Sequence, residues 1–181
     1  MSILSAQCTD KRVNLVSVPL FEKYPTPAEM AESPDGELEE YIKSCGLYRS
    51  KAKNIRLACR MLCDKYGGEV PSGMDELTEL PGVGRKIANL IRGDVFGLPA
   101  IVADTHCIRL SARMGFTPKG TTDPLKTERT LTKMIPPSEQ SDFCHRLVWY
   151  GRDFCNARSP KCDECPLRAK VAEKMQKEEN P

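Results

Sequence analysis

The heptapeptide Leu80-Pro81-Gly82-Val83-Gly84-Arg85-Lys86 constrains this chain more than any other stretch of it. Residues 75–80 and 85–95 on either side carry apolar positions at helical spacing, so a few residues must stop one helix, turn the chain and start the next. Proline does not continue a helix, and the two glycines permit positive φ and leave the backbone bare of Cβ. Backbone amides at the start of the second helix have no intrahelical partners and carry the positive end of its dipole, which suits a phosphate. The plain alternative is a helix–helix connection.

The rest of the chain reads as helices too. Thr26-Pro27-Ala28-Glu29 is a capping box with proline at the first helical position. Ser50 is placed to cap a helix on which Ile55, Cys59, Leu62 and Tyr66 recur at helical spacing before Gly67-Gly68 stops it. Cys59 and Cys63 fall on or beside that apolar face as core filler. Asp104 caps a helix over 104–114, Asp123-Pro124 opens another, and Ser138 opens one over 138–151. Sustained period-two alternation is absent, and the brief apolar stretch 98–102 contains Pro99 and reads as a loop. The fold class is therefore all-α. It comprises a helical domain over 1–115 that holds the 80–95 segment, and a C-terminal helical region over 116–181 with a cysteine loop at 155–165. Residues 173–181 form a charged, low-complexity end that reads as frayed.

Composition removes several classes of function. With 181 residues, 40% hydrophobic and 29% charged, the chain can bury a globular core. No apolar run reaches the roughly 20 residues that cross a bilayer, and the N-terminus lacks a secretory signal, so no membrane is involved and a cytoplasmic protein is expected. In that compartment the nine cysteines do not read as a disulfide framework. A net charge of +2 hides a polarity: residues 29–40 hold six acidic and no basic residues, while 85–133 hold nine basic and four acidic. The acidic run reads as a solvated face; the basic stretch suits a polyanion.

Several ordered landmarks carry a family resemblance. Lys86 is followed eighteen residues later by Asp104, within Val102-Ala103-Asp104-Thr105-His106. Leu4-Ser5-Ala6-Gln7 precedes Thr9-Asp10 in the manner of a first helix, and Gly46-Leu47-Tyr48 precedes Ser50-Lys51-Ala52. Cys155, Cys162 and Cys165 are spaced Cys-x6-Cys-x2-Cys. Over nearly its whole length the chain resembles the endonuclease III family of helix-hairpin-helix DNA glycosylases. The resemblance implies a monomeric base-excision-repair enzyme acting on double-stranded DNA. It would remove oxidised pyrimidines and then cleave 3′ to the abasic site as an AP lyase.

The resemblance also assigns roles. Lys86 stands at the nucleophile position, where an amine attacks C1′, forms a Schiff base and makes β-elimination easy. The helix dipole and Arg85 disfavour a cation there, and desolvation against an extruded nucleotide adds to that. Asp104, whose plain role is the N-cap, would stabilise positive charge on the deoxyribose or assist proton transfer at C1′. Gln7 would fill the hole left by the extruded base and Leu47 would wedge into the opposite strand. Their plain readings are a helix-surface polar group and a core side chain. Gly82, Val83, Gly84 and Arg85 would grip a phosphate and His106 would position DNA. Arg109, Arg113 and Lys119 would contact phosphates.

At the tail the family has a fourth cysteine where this chain has Val171, and four would complete a [4Fe-4S] cluster. Cys155, Cys162 and Cys165 leave three readings open: a cluster with an outside fourth ligand, zinc with a borrowed ligand such as His145, or no metal. Family members also carry further helical sequence before Leu4-Ser5-Ala6-Gln7, whose lack predicts exposed apolar surface on the tail. A non-catalytic helix-hairpin-helix DNA-binding relic is the alternative of a different class. The monofunctional adenine-removing branch generally lacks the lysine, and a metal-sensing or redox role would rest on the cysteine loop alone.

Overall fold

A computed structural model describes residues 1–171, all in helices, turns and irregular segments, with no strand among them. Two compact units divide the chain, Met1–Ala88 and Asn89–Pro181. The charged end at 173–181 lies outside the described residues.

In the first unit, α1 (Asp10–Lys23), α2 (Pro27–Ala31), α3 (Glu37–Ile42), α4 (Tyr48–Tyr66) and α5 (Met74–Glu79) follow in order. Thr9 caps α1 by accepting from Arg12 N, and Thr26 caps α2 by accepting from Glu29 N at 3.2 Å. Helix α4 packs on α2 and α3, enclosing Leu20, Leu38, Ile42, Ala52 and Ile55. It ends at Gly67, with φ 61, where Gly68 N reaches back to Leu62 O at 2.9 Å.

Three expectations give way here. The Leu4-Ser5-Ala6-Gln7 motif is a run of turns ahead of α1 and not a helix, and Gln7 itself has φ 52. Helix α4 begins at Tyr48, because Gly46 (φ 66) and Leu47 (φ 48) turn the chain early enough to put Ser50 inside the first turn. The acidic run is not purely solvated. Glu39 accepts from both arms of Arg56, at 2.5 and 3.1 Å, with side chains only 16% and 18% exposed. Glu39 also accepts from Gly36 N at the start of α3, and Glu32 pairs with Arg60. Hydrogen bonding to Arg56 holds the Glu39 carboxyl below its ordinary range.

Helix α6 (Arg85–Asp94) contains the division between the units. The second unit then carries α7 (Thr105–Arg113), α8 (Pro124–Met134) and α9 (Gln140–Asp153) around Ile101, Leu110, Met114, Leu131 and Leu147. Asp123 caps α8 as expected. Ser138 lies in a 3-10 turn, Pro137–Glu139, and α9 starts just after it. Residues 98–102 are irregular, as expected, yet Ala100, Ile101 and Val102 are buried, and Val102 N donates to Cys144 Sγ at 3.2 Å. Gly151 on α9 meets α7, since a Cβ there would collide with the His106 ring and with Arg109. No described helix is long and apolar enough to cross a membrane, and all nine cysteines are free.

Candidate active site

The turn between α5 and α6 is built from buried anchors and an open backbone. Leu80 and Val83 are 4% and 7% exposed, and Val83 N donates to Leu80 O at 2.9 Å, closing the turn. Of the two glycines only Gly82 uses a positive φ, 82°, and its missing side chain leaves room for Asn54 of α4, whose Cβ would lie 3.0 Å from an added Cβ. Gly84 faces open space and accepts from Ala88 N at 3.0 Å, so it sits at the N-cap position of α6 with no side chain in front of the first-turn amides. Gly82, Gly84, Arg85 and Lys86 are exposed, and Lys86 lies in that first turn. The arrangement combines an approachable run of amides, a helix N-terminus and an amine.

Gln7 and Leu47, in the same unit, are the only non-glycine residues with positive φ among those described. Such a conformation costs roughly 1–2 kcal/mol per residue. Both are exposed, Leu47 by 60%, which excludes a core role for it.

Asp104 stands at the N-cap of α7, where its Oδ1 accepts from Cys107 N at 2.7 Å. Val102 and Ala103 ahead of it are buried, so the carboxylate is fixed from both sides. Below it, a hydrogen bond with Cys144 and burial push the Cys107 thiol up. His106 Nδ1 lies 3.2 Å from Arg109 Nη2. Arg109 and Arg113, expected at phosphates, turn instead onto the cysteine loop. Arg109 Nη2 donates to Cys155 O at 3.0 Å, and Arg113 donates to Asn156 O and Ala157 O at 2.8 and 3.0 Å. Carbonyls in the irregular loop lack helical donors, and these guanidinium groups supply them. Lys119 is exposed beyond α7.

Cys155, Cys162 and Cys165 line one pocket of about 440 Å³, together with Arg113, Tyr150 and Val171. Tyr150 OH lies 2.6 Å from Cys165 Sγ, and burial together with that thiol pushes the phenol up. Sequence reasoning missed Tyr150, because nothing local ties a residue on α9 to a thiol fifteen positions later. His145 is engaged elsewhere, 2.8 Å from Asp94 Oδ1. Among the described residues no three His, Cys, Asp or Glu side chains converge tightly enough for a single metal ion. The three thiols and the apolar Val171 side chain border the same pocket, and thiolate donors suit an iron–sulfur group by their chemistry.

The family described as HhH-GPD superfamily base excision DNA repair protein matches residues 1–137. Endonuclease III of Bacillus subtilis is 49% identical over 164 residues, covering 91% of this chain and 74% of the relative. Endonuclease III of Escherichia coli K12 is 42% identical over 163 residues, 90% of this chain and 76% of the relative. Among solved structures, a non-covalent endonuclease III–DNA complex superimposes with TM-score 0.87 at 50% identity, covering 96% of this chain and 82% of that one. A thermostable thymine-DNA glycosylase, 24% identical, shares the fold at TM-score 0.85 over 93% of this chain and 78% of its own. With a family match over residues 1–137 and these relatives over nine-tenths of its length, the chain belongs to the endonuclease III family of the HhH-GPD superfamily.

Proposed function

We propose that this base-excision-repair DNA glycosylase and AP lyase removes oxidised pyrimidines and cleaves on the 3′ side of the abasic site with Lys86 as its nucleophile. The observation that carries the reading is the exposed Lys86 in the first turn of α6, directly behind the open backbone of Gly82 and Gly84. Lys86 Nζ attacks C1′ as the glycosidic bond breaks, and the base leaves with the proton the amine gives up; the C1′–O4′ bond then opens, O4′ is protonated, and C1′ is left as a protonated imine to the lysine. Loss of a proton from C2′ then lets the C3′–O bond break, with the electron pair leaving on the phosphate. Asp104, held at the N-cap of α7, stabilises the cationic sugar or moves the proton. Amides following Gly82, Val83 and Gly84 grip a backbone phosphate, aided by Arg85, while His106 borders the DNA and Arg109, bonded to Cys155 O, acts on the cysteine loop. Gln7 and Leu47 enter the duplex as the nucleotide leaves it.

The endonuclease III family usually carries a [4Fe-4S] cluster. Here Cys155, Cys162 and Cys165 would hold such a group by three thiolates, and it would supply a structural and redox element rather than chemistry at C1′. The protein works as a monomer on cytoplasmic DNA.

Borohydride trapping on a duplex with one abasic site tests the reading. Wild-type chain is expected to form a covalent adduct and Lys86→Ala none. A chain that binds the duplex but never traps would be the DNA-gripping relic.

A further inference from the structure

We propose that Lys51 is a positioning residue that ties the Gln7 turn to the Leu47 turn, so that the two side chains enter the DNA as one unit. The proposal rests on the duplex-probing roles given to Gln7 and Leu47 above. Lys51 lies in the first turn of α4 and is only 4% exposed. Its Nζ donates to Leu4 O at 3.0 Å and to Cys45 O at 2.8 Å, both bonds buried. Those carbonyls stand three residues before Gln7 and two before Leu47. A second link joins the same segments, because Cys8 packs against the buried cluster that contains Cys45.

Stability alone does not account for this lysine. Burying its amino group has a desolvation cost that two backbone carbonyls offset only in part, and no carboxylate partners it among the described residues. A methionine would fill nearly the same volume without that cost, though it would leave Leu4 O and Cys45 O without this donor. What the amine supplies, and methionine does not, is a joint between two segments 47 residues apart in the chain. Gln7 and Leu47 both hold a left-handed conformation that persists only when the surroundings over-determine it. Lys51 supplies that restraint at the root of each turn.

The test is a cycle of variants read by borohydride trapping at an abasic site. Each rate on duplex is divided by the rate on the same strand left single, where no hole is vacated and no opposite strand needs a wedge. The variants are Lys51→Met, the pair Gln7→Ala/Leu47→Ala, and all three together. We expect Lys51→Met and the pair each to lower the ratio by about tenfold to a hundredfold, and the triple variant to be no worse than the pair, since the lysine acts through those residues. 2-Aminopurine opposite the abasic site should lose its unstacking signal in Lys51→Met. If the pair leaves the ratio unchanged, the roles of Gln7 and Leu47 fail. If the pair lowers it but Lys51→Met does nothing, or multiplies the loss in the triple variant, the positioning role is overturned. Should Lys51→Met not fold by its thermal melt, the same cycle is read with Lys51→Gln, which retains a donor.

Discussion

At Asp104 one carboxylate holds two jobs that substitution can separate. Asparagine caps a helix about as well as aspartate, so Asp104→Asn should change thermal stability by less than about 0.5 kcal/mol. Single-turnover cleavage should fall by about a hundredfold or more, because the amide cannot balance a cationic sugar. Asp104→Ala loses the bond from Cys107 N as well and should cost about 1 kcal/mol in a melting experiment. Equal losses of DNA affinity and turnover in Asp104→Asn would reduce the residue to a cap. The two glycines of the hairpin separate in the same way. Gly82→Ala meets both a left-handed φ and the Asn54 side chain, and should destabilise by about 1–2 kcal/mol. Gly84→Ala has open space around it; its effect should appear mainly as weaker duplex binding, through a Cβ beside the phosphate-facing amides.

Among the elements, the α3–α4 pairing has a pH dependence of fixed sign. Glu39 is held below its ordinary range by Arg56, so the pair's contribution is complete above the unfolded carboxylate value of about 4.3. It disappears as pH falls through the lower folded value. Glu39→Gln should therefore cost about 1.5–3 kcal/mol at neutral pH and progressively less below about pH 4, measured by denaturant titration. A deficit that stayed constant into acid would remove the ion pair from the account. How legible such elements are in sequence depends on whether their signal is local. Thr26, Asp104 and Asp123 cap their helices by bonds to residues two or three positions on, and Gly67 stops α4 with its own backbone; all four could be read directly. Helix α3 was hidden in the acidic run, since its cap is Gly36 and the arginine that pairs with its Glu39 carboxylate lies seventeen residues away. The start of α4 differs from the Ser50 expectation because the positive φ that follows Gly46 falls on a leucine, where it leaves no compositional trace. The hairpin was legible from its two glycines and its proline. The reach of Lys51 to Leu4, and of Arg113 to the cysteine loop, was not, for neither contact is local in the chain.

For the molecule as a whole, a net charge of +2 is small, while residues 85–133 hold more than twice as many basic residues as acidic ones. Duplex binding should then be local and strongly salt-dependent. Affinity for undamaged duplex should drop on the order of a thousandfold between about 50 and 200 mM salt if about six phosphates are neutralised. A flat salt response would point to binding without phosphate contacts. The second unit has its own particular consequence in the grip of Arg109 and Arg113 on residues 155–157. Those bonds shape the cysteine loop with side chains that are present from the moment of synthesis. The loop thus owes part of its path to two guanidinium groups that lie outside the Cys155, Cys162 and Cys165 spacing itself. Losing either arginine should therefore loosen residues 155–157 without touching a thiol, a change that limited proteolysis of that loop would read.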